Sequence, residues 1–481
     1  MLVLLLANAA RRMLKHSRML PPATGVNRPR PLLKLWITLL AGACSLTAEA
    51  AGRTTEYLLS NGLKLVVQED HRAPVAVVQV WYKVGGSYEQ DGATGTSHAL
   101  EHLMFKRTTT LGSGEFSKIV AARGGQENAF TSADYTAYFQ QWSAENVGLS
   151  FKLEADRMQH LVLDAEEFNN ERKVIREERR MRTDDDPQAL AAEALTATIW
   201  QTSPYRQPVI GWAADIENMQ LPDLRRWYER WYTPNNATVV VVGDVDPRAV
   251  LALAKQHFGP LPSRPIVPLM PRPEVPQHGE KRLTLYDEKV REPLLMLAFK
   301  APVMSMVGAA GVDGKPIEAW EIYALDVLAG VLDGGASARF SSKLVRGQEL
   351  AVAASASYSA AARLEDLFSI DAMPRAGTTL KQLERAIEVE LALLKASPPL
   401  AEELERVKNQ VRAGTVYQQD SMFYQAMIIG TLESVGLSWK LKDQYDAGIL
   451  AVTPAQVQAV ARKYLVRQRA SVAWLMPPEK N

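Results

Sequence analysis

The chain has 481 residues, more than one compact core ordinarily holds, which points to two or more domains. Hydrophobic residues make up 47% and charged residues 23%, a soluble balance, and 55 Lys plus Arg stand against 54 Asp plus Glu. Near-neutrality argues against a nucleic-acid surface, and a lone cysteine, Cys44, excludes an intrachain disulfide and a thiolate-built metal site.

Residues 1–51 read as an N-terminal extension and signal peptide. Arg28, Arg30 and Lys34 precede the apolar run LWITLLAGACSL, and TAEAA follows, so cleavage is expected after Ala50. The run is short for a stable transmembrane span. A lipid anchor on Cys44 is the weaker alternative, because Ala41 stands where a larger apolar residue is expected. On either reading the chain is expected to be exported, and a bacterial periplasm suits a protein without disulfides.

From residue 52 to 262 the pattern is mixed. TEYLLSNGLKLVVQED reads as a hairpin around Asn61-Gly62, and APVAVVQVWYKVGG as a buried strand ending in a glycine pair. Helices are expected over 96–107, 115–123 and 145–160, with a strand over 128–142 between the last two. A long charged helix is expected over 164–183, then helices near 188–200 and 222–231. The run ATVVVVGD is a buried strand, and Pro247 opens a helix ending near Phe258. Residues 263–280 form a Pro-rich, extended linker. From 281 to 481 the order begins again, with two strands, a helix, two strands, a helix and a helix-rich tail closing on the strand ASVAWLMP. The two halves look like a diverged duplication of one α/β unit.

The segment TSHALEHLMFKRT carries the chemistry. His98 and His102 are four apart, so on a helix both imidazoles share a face and can reach one ion. Glu101 lies on the same side, placed to take a proton from an attacking water without being a ligand. Leu100, Leu103, Met104 and Phe105 make this helix half-buried, where two unpaired histidines would be costly. Two histidines leave a catalytic zinc one protein ligand short. His160 at a helix end and His71 in a turn read as solvated. The helix ERKVIREERRM offers Glu171, Glu177 and Glu178. Glu171 and Glu178 lie two turns apart on the face of Val174 and Ile175, whereas Glu177 leans away, so pattern favours Glu178 without closing the choice.

The segment SHALEHLMFKRT, with Glu178 following in ERKVIREE, resembles the pitrilysin and insulinase family of zinc peptidases. The resemblance extends through NGLKLVVQED, NAFTSADYTAYF, YTPNNATVVVVGDVDP and GGASARFSSKLVRGQELAV, nearly the whole chain after the signal. It implies one Zn2+ per chain on His98, His102 and Glu178, Glu101 as general base, and Glu171 orienting a histidine ligand. It implies that Asn128 and Ala129 hold a peptide added as a strand. The fold it implies is α+β: two homologous α/β domains, each a mixed sheet with flanking helices, together forming half of a clamshell. The 281–481 domain would be inactive.

Two positions depart from the family. Arg107 stands where relatives often have Gly. Single-chain relatives also bring an Arg and a Tyr, seven residues apart, to the scissile carbonyl; here Arg346 is followed at that spacing by Ala353. The missing donor would come from another chain, a zinc-free homologue carrying the Arg/Tyr pair in a heterodimer, or a second copy in a homodimer. The expected protein is thus a periplasmic zinc endopeptidase acting on peptides or unfolded segments. The alternatives are a non-catalytic assembly or scaffold subunit and a peptide-binding subunit of the same fold.

Overall fold

The computed structural model describes residues 53–478 except 268, 270 and 271. The signal peptide and the Cys44 anchor expected within residues 1–51 lie outside them. Six strands form the first sheet: β1 (Thr54–Leu58), β2 (Lys64–Glu69), β3 (Val75–Tyr82), β4 (Gln126–Thr131), β5 (Thr136–Ser143) and β6 (Ala237–Gly243). Their order is β1-β2-β6-β3-β5-β4, with β2 and β6 parallel and the other neighbours antiparallel. The runs in β3 and β6 are almost continuously apolar because both sheet faces are covered. β4 is an edge strand and only half-buried.

The second sheet contains β7 (Lys281–Tyr286), β8 (Leu294–Ala301), β9 (Ala351–Tyr358), β10 (Asp366–Pro374) and β11 (Ala470–Met476), in the order β7-β11-β8-β10-β9. The late strand β11 inserts parallel to β7 and antiparallel to β8. This repeats how β6 sits between β2 and β3, so the two sheets share one topology apart from the extra β1.

The halves exchange helices. The helix Met422–Ser434 covers the outer face of the first sheet, where Ala426, Met427 and Ile429 meet Val66, Val77, Trp81, Val240 and Val242. A Cβ on Gly430 would fall 2.0 Å from the Trp81 indole, so the crossing is as close as glycine permits. In return the helix Pro187–Ile199 packs Ala191, Leu195 and Ile199 against Met296, Ala298, Ala473 and Leu475 of the second sheet. The linker is also pinned. The Glu274 carboxylate accepts from the backbone N–H groups of Gln201, Thr202 and Ser203 and from Lys300 Nζ at 2.6 Å.

Four sequence expectations are corrected. The stretch 128–142 is not one strand but β4 and β5 around a turn at 132–135. The motif helix ends at Leu103 rather than residue 107, and the charged helix is α-helical only over Ala165–Arg179, continuing as a π-helical turn over Arg180–Asp184. Val174, read as inward, is 50% exposed, and Ile175 alone of that pair enters the core. Among the described residues no helix is long and apolar enough to cross a membrane.

Candidate metal centre

The motif helix Thr96–Leu103 begins at Gly95, whose φ of +84° and close approach to the Ile210 carbonyl both require glycine. The first turn's free N–H groups are met by the buried Glu89 carboxylate, which accepts from Gly95 N at 2.7 Å and Ser97 N at 2.6 Å. Ala99, Leu100 and Leu103 enter the core, which fixes the rotation of the helix and turns His98, Glu101 and His102 to the opposite face.

Against that face lies the helix Ala165–Arg179, capped by Asp164, which accepts from Glu166 N and Glu167 N. Its inward side is set by Phe168, Ile175 and the buried Arg179, which is bound to Glu193 and the Gly211 carbonyl. Glu171 and Glu178 then face the motif helix. Glu177 turns outward and pairs with Arg180 at 2.6 Å.

One oxygen of Glu178, Oε2, lies 3.7 Å from His98 Nε2 and 3.4 Å from His102 Nε2, and the three ligand atoms fall within 4.8 Å of one another. Zinc bonds of about 2.1 Å in a tetrahedron put neighbouring ligands about 3.4 Å apart, so the donor set fits that ion. Its other oxygen, Oε1, pairs with Arg182 at 2.5 Å. His102 Nδ1 donates to Glu171 Oε2 at 3.2 Å, and Lys106 Nζ holds the other Glu171 oxygen at 2.6 Å. His98 Nδ1 is buried without a hydrogen-bond partner among the described residues.

The electrostatics divide the two imidazoles. Burial, with His102 adjacent, brings His98 down to about 4. Burial also pulls on His102, but its hydrogen bonds to Glu171 and Glu178 prevail and raise it to about 9. Glu178 is pushed up by burial, yet the His102 hydrogen bond and the neighbouring positive charges bring it to about 2. Burial raises Glu101, opposed by a hydrogen bond from the Thr131 hydroxyl at 2.5 Å.

The fold thus brings together His98, Glu101, His102, Glu171 and Glu178. Asn128 and Ala129 sit on the edge strand β4, which packs against the motif helix. Arg346 is exposed in the second half, with its guanidinium donating to the carbonyls of Ala336 and Ser341. Thr131, Lys106 and Arg182 were not singled out by sequence. Arg182 could have been found four residues after Glu178, and Lys106 four after His102; Thr131 is 30 residues from Glu101 and carried no local signal.

A sequence profile described as insulinase (peptidase family M16) matches residues 64–212, and one described as the peptidase M16 inactive domain matches 218–411. Zinc protease PqqE of Helicobacter pylori is 31% identical over 430 residues, covering 87% of this chain and 92% of that protein. The crystal structure of a protease from Helicobacter pylori superposes with a TM-score of 0.82 at 30% identity, over 89% of this chain and all of that one. The first half of the periplasmic protease PqqL from Escherichia coli gives a TM-score of 0.71 at 21% identity, over 89% of this chain and 92% of that half; against the longer PqqL structure the chain covers 48%.

Proposed function

Because the chain belongs to the insulinase family of peptidases, family M16, we propose that it is a zinc-dependent endopeptidase hydrolysing peptides or unfolded segments. The observation that carries this reading is the convergence of one His98, one His102 and one Glu178 ligand atom within 4.8 Å beside an edge strand. These three would hold one zinc ion per chain. When bound, zinc supplies a Lewis acid that makes a water acidic near neutral pH and polarises a carbonyl.

The chain's own residues do the rest. Glu101 takes the proton of the attacking water and returns it to the leaving amine. Glu171 accepts from His102 Nδ1, which holds the ring so that Nε2 faces the ion. The β4 edge at Asn128 and Ala129 receives an extended peptide as an added strand, so that main-chain hydrogen bonds rather than side chains position it. Arg346 is occupied with carbonyls of its own half, so we assign the donor to the scissile carbonyl to a partner. That partner is a zinc-free homologue in a heterodimer or a second copy of this chain, and a pair of such chains would match the length of PqqL. Export to the periplasm with signal cleavage after Ala50, and the division into an N-terminal extension over 1–51, a domain over 52–262, a linker at 263–280 and a domain over 281–481, belong to the same reading.

Replacing Glu101 with Gln tests it. The variant should retain zinc and lose hydrolysis of an unfolded polypeptide, assayed with the partner homologue present and absent. Undiminished hydrolysis would remove Glu101 from the mechanism. A wild-type chain that binds zinc and hydrolyses nothing in either setting would leave the scaffold reading instead.

A further inference from the structure

A carboxylate base needs one oxygen aimed at the reacting water, and something must hold the other. In Glu101 that oxygen is Oε2, which accepts from the Thr131 hydroxyl at 2.5 Å. Thr131 is the last residue of β4, opposite Thr136 on β5, and the connecting turn at 132–135 is clamped from several sides.

The Ser132 carbonyl accepts from Gly86 N at 3.1 Å and the Ala133 carbonyl from Ser87 N at 2.7 Å. A Cβ at Gly85 would lie 2.2 Å from the Ser132 oxygen, so the turn can rest this close only over glycine. Asp134, 4% exposed, accepts from Ser87 Oγ at 2.8 Å and from the Tyr205 hydroxyl. From the second half of the chain, Arg363 donates its backbone N–H to Asp134 at 3.0 Å and its Nε at 3.3 Å. Its terminal nitrogen reaches Ser87 Oγ at 2.8 Å, and the guanidinium carbon lies 4.3 Å from the centre of the Tyr88 ring. The same short stretch, Gly85 to Glu89, also caps the helix that carries Glu101. One loop therefore anchors both the base's helix and the strand that supplies its hydrogen-bond donor, and Arg363 bolts that loop to the turn.

We infer that Thr131 is a positioning residue for Glu101, and that Arg363 keeps it in place through the turn at 132–135. The second half of the chain, matched to an inactive domain, then sets the direction in which the base acts. This rests on Glu101 being the base.

The test uses the full chain in the assembly that shows peptidase activity, with kcat, KM and zinc content read for each variant. Thr131→Val keeps shape and strand preference but removes the hydroxyl; misdirected groups in such sites cost roughly 10- to 100-fold. The expected result is a kcat loss of that size with KM and zinc content unchanged, and recovery of most of the rate in Thr131→Ser. Arg363→Met and the shape-conserving Asp134→Asn should lower kcat about three- to tenfold in the wild-type background and have no further effect in Thr131→Val. Asp134→Asn decides this arm should Arg363→Met melt below the assay temperature. A Thr131→Val enzyme within about twofold of wild type would overturn the inference while Glu101→Gln remained inactive. Effects of Asp134→Asn and Thr131→Val that simply multiplied would overturn the role given to Arg363. An active Glu101→Gln would instead overturn the reading beneath it.

Discussion

Replacing Glu171 with alanine removes a group that should touch neither substrate nor metal, so its effect reports on how His102, a proposed metal ligand, is held. In the wild type, His102 Nδ1 donates to one Glu171 oxygen at 3.2 Å and Lys106 Nζ holds the other at 2.6 Å. The Glu171 side chain is only 14% exposed, so water replaces it poorly. Without it the His102 ring loses its orienting acceptor, and an ammonium is left facing the site. Loss of such a support costs about 10- to 100-fold in metal affinity, or about 1.4–2.7 kcal/mol. Zinc affinity is measured by competition with a chromophoric chelator, and peptidase activity at saturating zinc is measured beside it. The expected outcome is weaker zinc binding in that range, with most activity restored when zinc is in excess. Unchanged zinc affinity in Glu171→Ala would refute the orienting role.

Gly430→Ala should destabilise the fold by about 1–3 kcal/mol in urea unfolding, because the new methyl would overlap the Trp81 indole at 2.0 Å and push apart the helix that joins the two halves. Glu274→Gln should cost about 2 kcal/mol at neutral pH by weakening the linker's charged hydrogen bonds and leaving Lys300 unpaired. The wild-type Glu274 is brought down to about 2: burial raises it, but Lys300 and three backbone N–H donors prevail. A depressed carboxylate adds stability above its unfolded value that disappears as pH falls toward its folded one. Wild type should therefore lose stability between about pH 4.5 and pH 2 more steeply than Glu274→Gln; parallel acid-unfolding curves would contradict this.

The parts of the site that follow from helix periodicity were legible. His98, Glu101 and His102 share a face because their spacings leave no alternative once the segment is helical, and the apolar Ala99, Leu100 and Leu103 decide which face it is. Glu178 was harder, since its helix bears charge nearly all round and Val174, read as part of an inward stripe, is exposed. There the resemblance resolved what periodicity left open. The hairpin between β4 and β5 was missed because its turn, Ser132-Ala133-Asp134-Tyr135, offers only Ser132 and Asp134, weaker turn signals than Gly or Pro. It is held by tertiary bonds to Ser87, Tyr205 and Arg363, which no local pattern reports. The exchanged helices were visible as helices but not as exchanged. Met422–Ser434 is apolar on nearly every side, which signals burial without saying against which sheet.

Whether His98, His102 and Glu178 hold a zinc ion on which peptidase activity depends is decided by measuring zinc content and rate in one sample. The full chain, with and without the proposed homologous partner, is assayed as purified, after chelation and after zinc is returned, beside His102→Ala. The expected result is about one zinc per chain, activity that disappears with the metal and returns with it, and neither in His102→Ala. A wild-type chain that takes up no zinc, or a rate indifferent to its removal, would contradict it.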